Sequence, residues 1–179
     1  MISFCSACGG KTHNIIPAGD SRLRDVCTVC NLVHYENPRI VTGTLPVWQG
    51  KILLCKRAIE PRRGYWTLPA GFMELSETVE QGAVRETWEE AGATIKVRGL
   101  LSILDVPHAS QVHTFYLADL VDGTFEAGTE SLEVALFAPA EIPWEELAFK
   151  TVYVTLKHYL ANPDAPLLTK TVTYTPKTV

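Results

Sequence analysis

The chain has 179 residues, of which 46% are hydrophobic and 20% charged, with a formal net charge of −4. That length accommodates one ordinary domain plus a small appendage, and the apolar share suffices for a core. The negative balance argues against a broad nucleic-acid-binding surface, and no apolar run approaches a membrane span. The N-terminus lacks a basic-then-apolar signal, so an intracellular, cytoplasmic protein without membrane contact is expected.

Residues 1–37 form the appendage. Cys5-x-x-Cys8 and Cys27-x-x-Cys30 are separated by 18 residues, within the range of a four-cysteine zinc site. Each pair sits on a tight turn, so four thiolates can converge on one tetrahedral Zn²⁺; a site closed by four sulfurs is structural, not catalytic. So short a segment buries too little apolar surface to fold alone, and zinc would supply much of its folding energy. Unrelated cysteine pairs or a redox couple are the competing readings, which two pairs at this spacing disfavour. His13 and His34 read as surface or packing residues. Up to Pro38, Lys11, Arg22 and Arg24 balance Asp20, Asp25 and Glu36. A neutral ribbon suits a scaffold or dimer interface better than RNA binding.

Asn37-Pro38 marks a boundary. Arg39 to Trp48 reads as a strand, Gln49-Gly50 as a turn and Lys51 to Arg57 as the return strand of a hairpin. Cys55 lies in that apolar run as a buried structural thiol. Lys56 and Arg57 end the strand; Arg57 is a candidate phosphate contact, with a solvated strand end as the alternative. The loop carrying Arg62 and Arg63 has the same two readings. Trp66 is either core or a stacking surface for a flat base. Thr94 to Leu104 and His113 to Leu120 read as strands. The loop between them, Asp105 to Gln111, is a candidate for substrate contacts, with His108 and His113 incidental. Leu132 to Phe137 is a further strand, and Pro139 to Phe149 a connection with a short helical turn. Lys150 to Leu160 carries a helical stripe of Val152, Leu156, Tyr159 and Leu160, ended by Asn162-Pro163. Leu167 to Tyr174 is a final strand or an exchanged arm. The expected divisions are 1–37, 38–165 and 166–179.

The chemistry is concentrated between Gly71 and Ala93. Thr78 caps a helix with Gln81 three residues on, and Gly92 stands where a left-handed residue ends it. At about 100° per residue, Glu86, Glu89 and Glu90 share one face and Val84, Trp88 and Ala91 the opposite one. The expectation is therefore a buried apolar face presenting an acidic one. The segment holds six acidic residues, Glu74, Glu77, Glu80, Glu86, Glu89 and Glu90, against one basic residue, Arg85. Like charges at i, i+3 and i+4 each cost about 0.2–0.5 kcal/mol on a helix. A hard divalent cation, Mg²⁺ or Mn²⁺, would relieve the crowding, and the loop from Thr67 to Gly71 can add a backbone oxygen. A solvated acidic face is the bland alternative.

Gly71, five residues, Glu77, seven residues, Arg85-Glu86-Thr87-x-Glu89-Glu90, x, Gly92-Ala93 resembles the Nudix box in every fixed position. The one departure is Thr87, where the pattern usually has an aliphatic residue. The resemblance implies a pyrophosphohydrolase of α/β class, a mixed β-sheet sandwiched between helices, here behind a zinc ribbon. It implies Mg²⁺ or Mn²⁺ on Glu86, Glu89, Glu90 and the Gly71 carbonyl, with Arg85 orienting the carboxylates and Glu77 fixing the loop. It also implies an acidic residue near Glu130 and Glu133 that completes the metal site or acts as general base; a surface carboxylate is the alternative for each.

Cys27-Thr28-Val29-Cys30, Leu53-Leu54-Cys55-Lys56-Arg57, Trp66-Thr67-Leu68-Pro69-Ala70-Gly71 and Tyr153-Val154-Thr155-Leu156 are similar to the chloroplast FAD pyrophosphatases of plants and their bacterial relatives. Ala70, where most Nudix loops have a second glycine, is shared with that group; a transit segment is not. FAD, split to FMN and AMP, or ADP-ribose is the implied small-molecule substrate, and a homodimer the implied assembly. NADH pyrophosphatases carry a signature downstream of the box that residues 94–120 lack. NADH hydrolysis or removal of NAD caps from RNA is the alternative activity, and a non-catalytic nucleotide sensor the alternative of another class.

Overall fold

A computed structural model describes residues 2–164 and 166–173. The chain divides into two compact units, Met1–Asn37 and Pro38–Val179. The first unit is a three-stranded antiparallel sheet of β1 (Thr12–Ile15), β2 (Arg24–Cys27) and β3 (Val33–His34). Its two turns are alike. Cys5 N donates to the Gly10 carbonyl at 2.8 Å and Cys27 N to the Leu32 carbonyl at 2.9 Å. Gly9 and Asn31 take left-handed φ angles of 72° and 59° at the bends, a conformation that glycine and asparagine tolerate best.

The second unit is built on β4 (Arg39–Trp48), β5 (Lys51–Arg57), β6 (Trp66–Thr67), β7 (Ala70–Phe72), β8 (Ile95–Val106), β9 (Gln111–Leu120), β10 (Ser131–Phe137) and β11 (Leu168–Thr171). The strand order is β10-β5-β4-β9-β8-β11, with β6 beside β5 and β7 beside β4. Pairings β4–β9 and β8–β11 are parallel and the others antiparallel, so the sheet is mixed. Gln49 and Gly50 both take positive φ, 49° and 78°, as the two-residue turn between β4 and β5 requires. β11 runs parallel to Ser102–Asp105 of its own chain. Met1, Ala165 and the 174–179 end of the expected arm lie outside the described residues.

Alternation along β5 divides the interior. Ile52 and Leu54 join a core with Leu45, Phe115, Val152 and Leu156, while Leu53 and Cys55 join another with Ala91, Ala93 and Leu120. The sheet therefore lies between α1 (Val79–Ala91) and α2 (Lys150–Ala161). Trp66 is 5% exposed and packs edge-on against Phe137 at 4.8 Å between ring centroids, which corrects its reading as a stacking surface. β6 turns this side chain into the core because its neighbour β5 buries that face.

The capping box of α1 is present: Gln81 N donates to Thr78 Oγ1 at 3.1 Å and Thr78 N to Gln81 Oε1 at 2.8 Å. The expected buried face is corrected. Ala91 is buried as expected, but Val84 and Trp88 are 37% and 59% exposed, and the helix buries Gly82, Ala83, Thr87 and Glu90 beside it. Small residues win because α1 lies close on β4: a Cβ on Gly82 would come within 2.8 Å of Thr42 Cγ2. Thr87 replaces the usual aliphatic residue without leaving a polar orphan. Its hydroxyl donates to the Ala83 carbonyl at 2.7 Å and therefore accepts from the Thr44 hydroxyl, also at 2.7 Å. Replacing Thr87 by Val strands the Thr44 donor and should destabilise the protein by about 1–3 kcal/mol in urea unfolding; adding Thr44→Val should recover most of the loss.

Candidate functional site

α1, β7, the end of β5 and residues 128–130 converge on a cleft of about 1460 Å³ in the second unit. Its lining includes Gly71, Arg85, Glu86, Glu89, Glu90, Arg57, Arg62 and Glu130. Pockets for drug-sized ligands span roughly 300–1000 Å³, so this open cleft has room for a molecule of at least that size.

Glu90 is the most deeply placed of the acids, 7% exposed, and accepts a 3.2 Å bond from the Ala70 backbone N–H. Burial pushes its carboxyl up to about 8 despite that donor; Glu86 and Glu130 add to the rise and Arg57 opposes it. Glu86 is likewise raised by burial, against Arg85. Its carboxylate rests on Gly71, where a Cβ would sit 2.4 Å from Oε2, so any side chain there would push the Glu86 carboxylate aside. Burial and the charge of Glu90 also push the neighbouring Cys55 thiol well up, which keeps it protonated and inert.

Arg85 is the local counter-charge. It donates from Nε and Nη2 to both oxygens of Glu77 at 3.0 and 2.8 Å, and from Nη1 to Glu86 at 2.8 Å and Glu89 at 3.0 Å. A further bond reaches the Phe72 carbonyl at 3.1 Å. The fork holds the Glu77 carboxyl at about 2 and ties the loop before α1 to the helix. One guanidinium thus serves three carboxylates.

The donor set fits a hard divalent cation: carboxylates at graded depth, one of them buried without a full counter-charge, beside a glycine backbone. Among the described residues these glutamates are not drawn as tightly together as the cysteines, whose candidate ligand atoms all lie within 4.8 Å of one another. Arg85 Nη1 donates to both Glu86 and Glu89 and so links these two carboxylates.

The two loop acids separate. Glu130 lines the cleft. Glu133 does not: it pairs with Lys56 across the β10–β5 ladder, its ion pair measuring 3.7 Å and its side chain 56% exposed. The general-base reading of Glu133 is corrected accordingly. Arg57 and Arg62 both line the cleft; Arg57 also donates to the Pro61 carbonyl at 2.9 Å and lies 5.1 Å from the Phe149 ring centroid. Sequence reasoning set aside His108 and His113, yet both line the cleft, with Phe72, Gln111, Phe149 and Lys150. His113 Nε2 bonds Gln111 Oε1 at 2.9 Å, and burial holds its imidazole down to about 4, hence neutral at pH 7. A period-2 strand pattern locates His113 on β9 but does not reveal what faces it.

In the first unit the sulfurs of Cys8 lie 3.4 Å from Cys27 and 3.5 Å from Cys30, and Cys5 lies 3.7 Å from Cys30. Backbone N–H groups of Cys30 and Val29 hold the Cys27 thiol down to about 6, favouring the thiolate that a metal needs.

Three comparisons bear on the site. The chain matches the family described as NUDIX domain over residues 37–159 and the one described as Nudix N-terminal over residues 3–36. It is 34% identical over 156 residues to an ADP-ribose pyrophosphatase of Methanocaldococcus jannaschii, covering 83% of this chain and 91% of that protein. It is 32% identical over 144 residues to an NAD-capped RNA hydrolase NudC of Photobacterium profundum, covering 79% of this chain but 52% of that protein, about half its length. The crystal structure of a NUDIX hydrolase from Nitrosomonas europaea superposes with a TM-score of 0.91 at 46% identity, covering 96% of this chain and 99% of that one.

A folded-state carboxyl raised to about 8 sets a pH dependence. The contribution of Glu90 to stability is full below its unfolded value near 4.3 and is lost as pH rises through 8. Glu77 acts oppositely and only between about 4.5 and 2, outside that window. His113, held down to about 4, acts oppositely between about 4 and 6.5 and offsets Glu90 there. In buffer free of magnesium and manganese the melting temperature should therefore fall mainly between about pH 6.5 and 8, and Glu90→Gln should flatten that fall.

Proposed function

The chain belongs to the Nudix hydrolase family, and from that premise we propose that it hydrolyses the pyrophosphate of an ADP-linked substrate, ADP-ribose or FAD. The observation that carries this reading is the acidic cluster of Glu86, Glu89, Glu90 and Glu130 in one large cleft with Arg57 and Arg62. The likeness to an ADP-ribose pyrophosphatase along nearly its whole length supports the ADP half of the substrate.

Glu86, Glu89, Glu90 and the Gly71 carbonyl would hold Mg²⁺ or Mn²⁺. Bound there, the cation supplies neutralisation of the bridging phosphates and a more acidic water. Arg57 and Arg62 bind the phosphates, Arg85 holds Glu86 and Glu89 in place, and Glu130 accepts the proton of the attacking water. Water adds across one P–O bond of the anhydride, releasing AMP with ribose 5-phosphate or FMN.

AMP release should be at least tenfold faster from ADP-ribose or FAD than from NADH or NAD-capped RNA, in Mg²⁺ or Mn²⁺. Glu89→Gln should lower kcat by about 100-fold or more with an unchanged circular dichroism spectrum. Faster turnover of capped RNA would transfer the assignment to the NudC-like activity.

The ribbon would hold Zn²⁺. The sulfur spacings of 3.4–3.7 Å approach the roughly 3.8 Å edge of a tetrahedron with Zn–S near 2.3 Å. Elemental analysis should find one zinc per chain, and Cys27→Ser should lose it together with proteolytic resistance of residues 1–37.

A further inference from the structure

An α-helix ends with carbonyls that have no partner inside it. In α1 two of these are taken up by the segment that carries Glu130. Glu126 N donates to the Ala91 carbonyl at 2.8 Å, and Gly128 N donates to the Glu90 carbonyl at 3.1 Å. The segment then closes on itself and on the residue following β5: Ser131 N donates to the Gly128 carbonyl at 3.1 Å and Ala58 N to the Glu130 carbonyl at 2.8 Å. The backbone on both sides of Glu130 is thus hydrogen-bonded, on one side to the same helical turn that bears Glu89 and Glu90.

Gly128 is the point of closest approach. A Cβ there would lie 1.8 Å from the Glu89 carbonyl oxygen and 3.3 Å from Glu90 Cα. The obstacle is backbone, so no side-chain rotation relieves it: either the segment withdraws or the helix end moves. Withdrawal breaks the Gly128–Glu90 bond and carries Glu130, two residues on, away from the helical glutamates.

We propose that Gly128 is a positioning residue, whose missing side chain lets the loop seat on the C-terminal turn of α1 and so sets the Glu130 carboxylate against Glu86 and Glu90. The assignment rests on the reading of Glu130 as the proton acceptor, and deepens it: the base is aligned to the cation-binding helix by the cap of that helix.

The test is a double-mutant cycle on ADP-ribose or FAD, whichever turns over faster, with Mn²⁺ affinity and melting temperature measured in parallel. Glu130→Gln should lower kcat by about 10²–10⁴-fold. Gly128→Ala should lower kcat at least tenfold, with KM and Mn²⁺ affinity within about twofold of wild type. In the Glu130→Gln background Gly128→Ala should have no further effect on kcat, because the group it misplaces is gone. Full activity of Gly128→Ala, or an undiminished effect in that background, overturns the proposal while leaving Glu130 as base. Full activity of Glu130→Gln overturns both. Should Gly128→Ala not fold, the Ala127→Gly/Thr129→Gly variant loosens the loop without crowding the helix. It should lower kcat several-fold, again only when Glu130 is present; an equal effect without Glu130 overturns the proposal.

Discussion

The structure of the catalytic unit depends on one awkward group, the carboxylate of Glu90. It is buried on a helix facing a sheet, with a single backbone N–H, that of Ala70, donating to it. Burying an unpaired charge is strongly unfavourable, so the group must be neutralised by a proton or by a cation. Three backbone elements are shaped to it: α1 carries it, β7 donates to it, and the 126–131 segment bonds to its own carbonyl. The surroundings that make a charged Glu90 costly are those that would suit it to hold a cation. Stability is surrendered locally where a divalent cation would restore it.

Arg85 keeps this arrangement from failing altogether. Its fork to Glu77 fixes the loop between β7 and α1, and its remaining nitrogen restrains Glu86 and Glu89. Lysine has the charge but not the planar fork, so it could not hold three carboxylates and a carbonyl at once. Small residues complete the design. Gly82 lets α1 approach β4, Gly71 accepts the Glu86 carboxylate, and Gly43 leaves room for Ala70, whose Cβ would lie 2.3 Å from any Cβ at position 43. The last contact gives a physical account of why alanine is tolerated at 70.

What could be read from the sequence was what is decided locally. The β4–β5 hairpin follows from alternation and Gln49-Gly50, the capping box from Thr78 and Gln81, and the cysteine cluster from spacing alone. The acidic cluster was legible because crowding of like charge is visible without coordinates. The buried face of α1 was not, because hydrophobic periodicity assumes that the helix docks by apolar side chains. This one docks by glycine, alanine, a paired threonine and a carboxylate, and leaves Trp88 in the cleft lining. Glu130 and Glu133 were indistinguishable in sequence and are separated by one fact of register, the pairing of Glu133 with Lys56. The contributions of His113 and Phe149 to the cleft, and the seat of Gly128, arise from contacts between distant segments. No local pattern announces them.

The most direct test of the central claim is the number of protons released when Mn²⁺ binds, obtained by calorimetry at pH 7 in buffers of different ionisation enthalpy. If Glu90 is held protonated by burial until a cation replaces the proton, the wild type releases about one proton per Mn²⁺ and Glu90→Gln releases almost none. Equal release from both proteins, or none from the wild type, would contradict the account.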